Sequence, residues 1–238
     1  MYPAKHISDG VIVTMTSSHQ TARAIVSHGP HSKGEWKLEN ISIPSVREDE
    51  LLIRIVATGV CHTDLYFGGV DHAMANNPVL FYPRVLGHEG AGYVVETGSG
   101  VKVAQAGDPV LLSYMFCDSC AICKDGNPGH CVQSQSLNFV GENILSSEGS
   151  QDGSIGGSYF GQSSFSSLAV VKQRAVVNVK GLVKDDEELK LFAPLGCGVQ
   201  TGAASIVNVA QVKAGQSVAV TGLGGVGLSA IMVSDLTA

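Results

Sequence analysis

The sequence predicts a mainly β domain followed by the start of an α/β unit. Three observations carry this. From about residue 33 to 175, short apolar runs rich in β-branched residues are divided by Gly, Pro and Asn. Cys117, Cys120, Cys123 and Cys131 follow the spacing C-x2-C-x2-C-x7-C. Near the C-terminus, Gly222, Gly224 and Gly227 form G-x-G-x-x-G directly after Gln216-Ser217-Val218-Ala219-Val220-Thr221.

Residues 1–32 are of mixed composition and carry His6, His19, His28 and His31. Their irregular spacing reads as solvated surface, with a metal-binding tag as the competing reading. The runs at 51–56, 92–96, 109–113 and 168–171 predict the strands of a compact β domain. Residues 146–158 are rich in Ser and Gly and predict a mobile loop. Asp185-Asp186-Glu187-Glu188 reads as the acidic first turn of a helix, where the macrodipole favours negative charge, rather than as a ligand cluster.

The four clustered cysteines suit one closed tetrahedral zinc, with Zn–S distances of about 2.3 Å. Around them Asp118, Ser119, Lys124, Asp125, Gly126, Asn127, Pro128 and Gly129 are turn formers that let the chain wrap an ion. Two disulfides are the competing reading; the spacing and the lack of a secretory leader disfavour it. A closed site of this kind is structural and performs no chemistry.

The remaining cysteines lie elsewhere: Cys61 in Gly59-Val60-Cys61-His62-Thr63-Asp64, and Cys197 in Leu195-Gly196-Cys197-Gly198. Between them stands Gly87-His88-Glu89. Two Cys and one His from distant segments can make a three-ligand zinc site with an open fourth position, the arrangement used in catalysis. Taken singly, each residue has a plainer explanation, since free Cys is often a small buried hydrophobe.

Together and in this order, these motifs resemble the zinc-containing medium-chain alcohol dehydrogenases, from about Lys33 to the C-terminus. Tyr159-Phe160-Gly161-Gln162-Ser163-Ser164-Phe165 is similar to the aryl- and benzyl-alcohol branch. The resemblance implies an N-terminal segment (1–32), a GroES-like zinc-binding catalytic domain (33–197), and the first helix, strand and Gly-rich turn of an incomplete Rossmann domain (198–238). It implies two zinc ions per chain, one on Cys61, His88 and Cys197 and a structural one on Cys117, Cys120, Cys123 and Cys131. Thr63 resembles the first proton-relay hydroxyl, Asp64 the acceptor that orients His88, and Glu89 the carboxylate near the zinc. His62 resembles a contact to cofactor phosphate. Where many relatives end the relay in a histidine, this chain has Tyr66.

The glycine motif, with Gly222, Gly224, Gly225, Val226 and Gly227, reads as a pyrophosphate turn before an apolar helix from Leu228 to Val233. A plain strand–helix turn is the competing reading. The acidic residue expected about 20 positions later to read the ribose lies beyond Ala238. The expectation is therefore a fragment or a truncated product, with NAD or NADP as cofactor only if the Rossmann domain is complete. By itself the 238-residue chain is expected not to turn over alcohols.

The activity implied is interconversion of an alcohol, of aromatic or benzylic type, and its aldehyde or ketone. A homologue without redox activity, using the zinc as a Lewis acid for another reaction or binding a partner, is the alternative. The net charge of −6 is scattered and gives no basic footprint for nucleic acid. No segment reaches the ~18 consecutive apolar residues of a membrane span. The expectation is a cytoplasmic enzyme with a small-molecule alcohol or aldehyde substrate, with no nucleic-acid or membrane partner, and with room for a homo-oligomer.

Overall fold

A computed structural model describes residues 20–71 and 81–237. Among the described residues ten strands fall into two groups. A closed barrel is formed in the order β1 (Gln20–Ser27), β2 (Trp36–Ile43), β7 (Glu142–Ser147), β8 (Ile155–Gly157) and β4 (Arg84–Val85). A five-stranded sheet runs β10 (Val176–Asn178), β6 (Pro109–Leu112), β5 (Gly90–Thr97), β3 (Glu50–Thr58) and β9 (Leu168–Lys172). Among the described residues five α-helices accompany them: α1 (His62–Phe67), α2 (Ala121–Lys124), α3 (Asp186–Leu191), α4 (Gly198–Ala204) and α5 (Gly225–Thr237).

Period-two patterning builds the barrel wall. In β1, Ala22, Ala24 and Val26 point inward and pack with Ile41, Ile43 and Ile155. β1 pairs with β2 along its whole length, so Gln20–Ser27, which precedes residue 33, is part of the barrel. His28 and His31 are drawn into this domain, His28 against Glu39 at 2.9 Å and His31 edge-on to Trp36. His6 and His19 lie outside the described residues.

The sheet core contains Leu51, Ile53, Val110, Leu112 and Val171. Burying each such aliphatic side chain contributes about 1.5–3 kcal/mol. The pairing of β3 with β5 positions the chemistry. These antiparallel neighbours bring Thr58 opposite Gly90, so the segment leaving β3 (Gly59 to Asp64) meets the segment entering β5 (Gly87 to Glu89). Gly59 N donates to the Glu89 carbonyl at 3.0 Å.

The acidic run opens α3, as its composition indicates. The Asp185 side chain accepts from Glu188 N at 2.9 Å, and Leu189 is buried against the sheet. The Ser/Gly-rich stretch is shorter as a loop than expected: β7 runs through Ser147 and β8 begins at Ile155, because pairing within the barrel overrides the composition. Residues 216–221 form no strand and are mostly exposed, against the sequence reading. A parallel strand requires neighbours along its edges, and none of the described residues supplies one. The helix expected after the glycine turn is present and longer, running Gly225–Thr237.

Candidate metal centres

At the junction of β3 and β5, Cys61, His88, Glu89 and Cys197 each offer a ligand atom, all within 4.8 Å of one another. The Cys61 and Cys197 sulfurs are 3.9 Å apart, and His88 Nε2 is 3.2 Å from Cys197 Sγ. A tetrahedron with arms of about 2.3 Å has edges of about 3.8 Å, so the sulfur separation suits a shared ion and is far too long for a disulfide.

Local structure explains each position. Cys61 precedes α1, and its backbone N donates to Asp64 Oδ2 at 3.0 Å, closing a capping box. The other Asp64 oxygen accepts from Gly87 N at 3.1 Å and from His88 Nδ1 at 2.9 Å. Asp64 thereby fixes the His88 tautomer and aims Nε2 at the sulfurs. Gln162, fully buried, grips the same strand: its Nε2 donates to the His88 carbonyl at 2.9 Å, and its Oε1 accepts from Gly90 N at 3.1 Å.

Cys197 arrives from the turn Ala193–Gly196 just before α4. That turn lies flat on β6, where a Cβ at Gly196 would overlap the Leu112 carbonyl oxygen. Gly59 makes room in the same way for the Glu89 carboxylate, whose other oxygen accepts from Gly198 N at 3.3 Å.

The protonation equilibria follow from these contacts. Burial pushes the Cys61 thiol up, but hydrogen bonds from Thr63 and the His88 ring outweigh it and hold the thiol below its ordinary value. Burial works against the charged His88 ring, yet hydrogen bonds to Asp64 and Cys197 raise it to about 10. Thr63 therefore faces the Cys61 sulfur, His62 is exposed at the first position of α1, and Tyr66 is exposed on the same helix.

The second centre is the 117–131 lobe, whose four sulfurs also lie within 4.8 Å of one another. Backbone N–H groups of Cys117, Cys120, Cys123 and Gln133 point at sulfurs of the cluster, at 3.3–3.5 Å. Such N–H···S contacts stabilise thiolates. The Ser119 hydroxyl and amide hold Cys117 down to about 5, whereas burial pushes Cys123 up to about 12. Four sulfurs complete a tetrahedral set, and all six cysteines are free thiols. Asn138, buried, ties off the base of the lobe through Met115 N at 2.7 Å and the Met115 carbonyl at 2.9 Å.

A cavity of about 440 Å³ opens onto the first centre, lined among others by His88, Cys197, Tyr114, Phe139, Phe160 and Thr201. Phe160 stacks on the His88 ring with centroids 4.4 Å apart. Phe160 was visible in the aryl-type stretch. Phe139 and Tyr114 carry no signal in the sequence, because aromatic residues outside regular strands and helices leave no period to read. In the glycine turn Gly222 has φ +95°, and a Cβ at Gly227 would overlap the Gly222 carbonyl oxygen.

No described helix is long and apolar enough to cross a membrane. Residues 47–181 match the model of the alcohol dehydrogenase GroES-like domain. Geraniol dehydrogenase from Castellaniella defragrans is 42% identical over 202 residues, covering 84% of this chain and 51% of that protein. The chain thus spans about half the length of the curated relatives it matches. Two crystal structures superpose over 92% of this chain, each at 36% identity. One is an alcohol dehydrogenase zinc-binding domain protein from Burkholderia ambifaria, with TM-score 0.80 and 57% of its chain covered. The other is benzyl alcohol dehydrogenase from Acinetobacter calcoaceticus, with TM-score 0.77 and 56% covered. With the two ligand sets set out on this fold, these matches show that the chain belongs to the zinc-containing medium-chain alcohol dehydrogenase family.

Proposed function

We propose that the protein works as a zinc-dependent alcohol dehydrogenase, interconverting an alcohol of aromatic or benzylic type and its aldehyde or ketone, with NAD or NADP as hydride carrier. One observation carries this reading: two thiols and an imidazole converge at the end of a cavity walled by Phe139 and Phe160. The donor set suits zinc, and Cys61, His88 and Cys197 would hold the ion. When bound there, zinc supplies Lewis acidity to a substrate oxygen. Cys117, Cys120, Cys123 and Cys131 would hold a second, structural zinc. A reducing compartment, the cytoplasm, suits cysteines that serve as thiols.

The chain's own residues then have distinct tasks. Asp64 keeps His88 in the tautomer that presents Nε2. Glu89 holds a carboxylate beside the open side of the ligand set. Thr63 lies next to Cys61, where its hydroxyl can pass on the alcohol proton. With Tyr66 on the outer surface of α1 instead of a histidine, the proton leaves through solvent. Phe139 and Phe160 exclude water and favour a planar, apolar substrate. Gly222, Gly224, Gly225, Val226 and Gly227, at the start of α5, supply N–H groups for a pyrophosphate, and His62 is an exposed imidazole for cofactor phosphate.

The test is benzyl alcohol oxidation by the zinc-loaded gene product, followed as nicotinamide reduction and compared with His88→Ala. Activity that His88→Ala abolishes supports the reading. Zinc-dependent conversion with no change in the nicotinamide would instead favour a non-redox Lewis-acid protein.

A further inference from the structure

Arg84 is only 1% exposed, an unusual setting for a cation. It lies on β4, four residues before His88, with its guanidinium 4.7 Å from the Phe81 ring centroid and 4.9 Å from that of Tyr159. Its Nη2 donates to the Phe139 carbonyl at 2.7 Å. Phe139 sits in the π-type turn Ser136–Val140. Its ring stacks on Phe67 at 4.8 Å and meets Phe160 edge-on at 5.3 Å. An unbroken line of contacts therefore runs from Arg84 through Phe139 and Phe160 to the His88 ring.

We propose that Arg84 is a positioning residue that sets the cavity's preference for aromatic alcohols by holding Phe139 against Phe160; this rests on the cavity being the alcohol site. Three physical points support it. Burying a guanidinium costs desolvation, and an aliphatic residue would fill the space between two rings at lower cost. A charge-assisted bond to a carbonyl is short and directional, so it fixes the Phe139 backbone relative to the strand that carries His88. The π-type turn is a rare backbone arrangement; Asn138 anchors it on the side of Met115, and the Arg84 bond to the Phe139 carbonyl anchors it on the side of the barrel. Arg84 sits behind the wall it positions. Its loss is therefore expected to alter the fit of a planar ring far more than that of a two-carbon alcohol.

The experiment is a fluorine NMR titration of the zinc-loaded protein with fluorobenzyl alcohol and with trifluoroethanol. Arg84→Met is expected to weaken fluorobenzyl alcohol binding about ten-fold and trifluoroethanol binding less than about two-fold. Arg84→Lys, which keeps the charge and one donor, is expected to cost about three-fold with the same selectivity, and it carries the test if Arg84→Met does not fold. Combined with Phe139→Leu, either substitution adds nothing further, since both act through one ring. The absorption spectrum of the cobalt-loaded protein stays that of wild type. Equal weakening of both alcohols, no weakening, or full additivity with Phe139→Leu would overturn the proposal. Wild-type protein that binds neither alcohol would overturn both this proposal and the alcohol-site reading beneath it.

Discussion

Asp64 Oδ1 lies 2.9 Å from His88 Nδ1, with both side chains closed to solvent, and the same carboxylate binds the backbone N–H of Cys61 and of Gly87. One side chain thus orients two members of the ligand set. Asp64→Asn leaves a single oxygen to serve three N–H groups. It should lower zinc affinity at Cys61, His88 and Cys197 by about 10–100-fold, while the four-cysteine site keeps its ion. Competition with a chromophoric chelator checks this; unchanged affinity at both sites would count against Asp64.

Metal-replete protein should contain two zinc ions, since the described residues hold two ligand sets. The two sets differ in openness, so graded chelation should release the ion of Cys61, His88 and Cys197 first. Elemental analysis with a release time course measures both. A single ion, or simultaneous release, would sink the assignment.

Cys120→Ser should unfold the 117–131 lobe without emptying the other centre. Cys120 caps α2 by accepting from Cys123 N, so its sulfur has both a structural and a metal role. Loss of a structural metal belongs to the short list of changes that cost more than about 4 kcal/mol. A wild-type melting temperature with both ions retained would contradict the four-thiolate reading.

The Glu50 carboxylate is almost fully buried, and Arg47 Nε and Lys172 Nζ hold it at 2.8 and 2.9 Å. Burial pushes its pKa up, but those two cations outweigh burial and hold it below the ordinary 4.5. The folded state therefore binds fewer protons than the unfolded state. The resulting stability is present above pH 4.5 and is lost as pH falls through the lower folded value. Glu50→Gln should cost about 2 kcal/mol near neutral pH, with a difference from wild type that shrinks in acid. Urea midpoints of the two proteins across that range give the answer, and a gap that widens toward low pH would reverse the sign.

Both candidate ligand sets are legible in the sequence because such residues are chemically conspicuous: four cysteines with two, two and seven residues between them, and a Cys-His-Thr-Asp followed by a Gly-His-Glu, have few other uses. Their convergence is not. Cys61 and His88 meet because Thr58 pairs with Gly90, a register written in no local pattern. Strand β1 carries a readable alternation of Ala22, Ala24 and Val26, obscured by the mixed composition before residue 33. Residues 216–221 fail in the opposite direction, since their strand composition is a local property while strand formation depends on neighbours. Arg84 and Phe139 act through one hydrogen bond between a barrel strand and an irregular turn, and neither has a motif.

Cys197 lies past the last strand, on the turn that leads into α4, whereas Cys61 and His88 belong to the two central strands' ends. An ion bound by all three therefore acts as a clip between sheet and helices. Its binding free energy is shared with the docking of residues 198–237, so occupancy and helix attachment rise and fall together. Amide hydrogen exchange in α4 and α5 should slow as zinc is added, even though neither helix supplies a ligand.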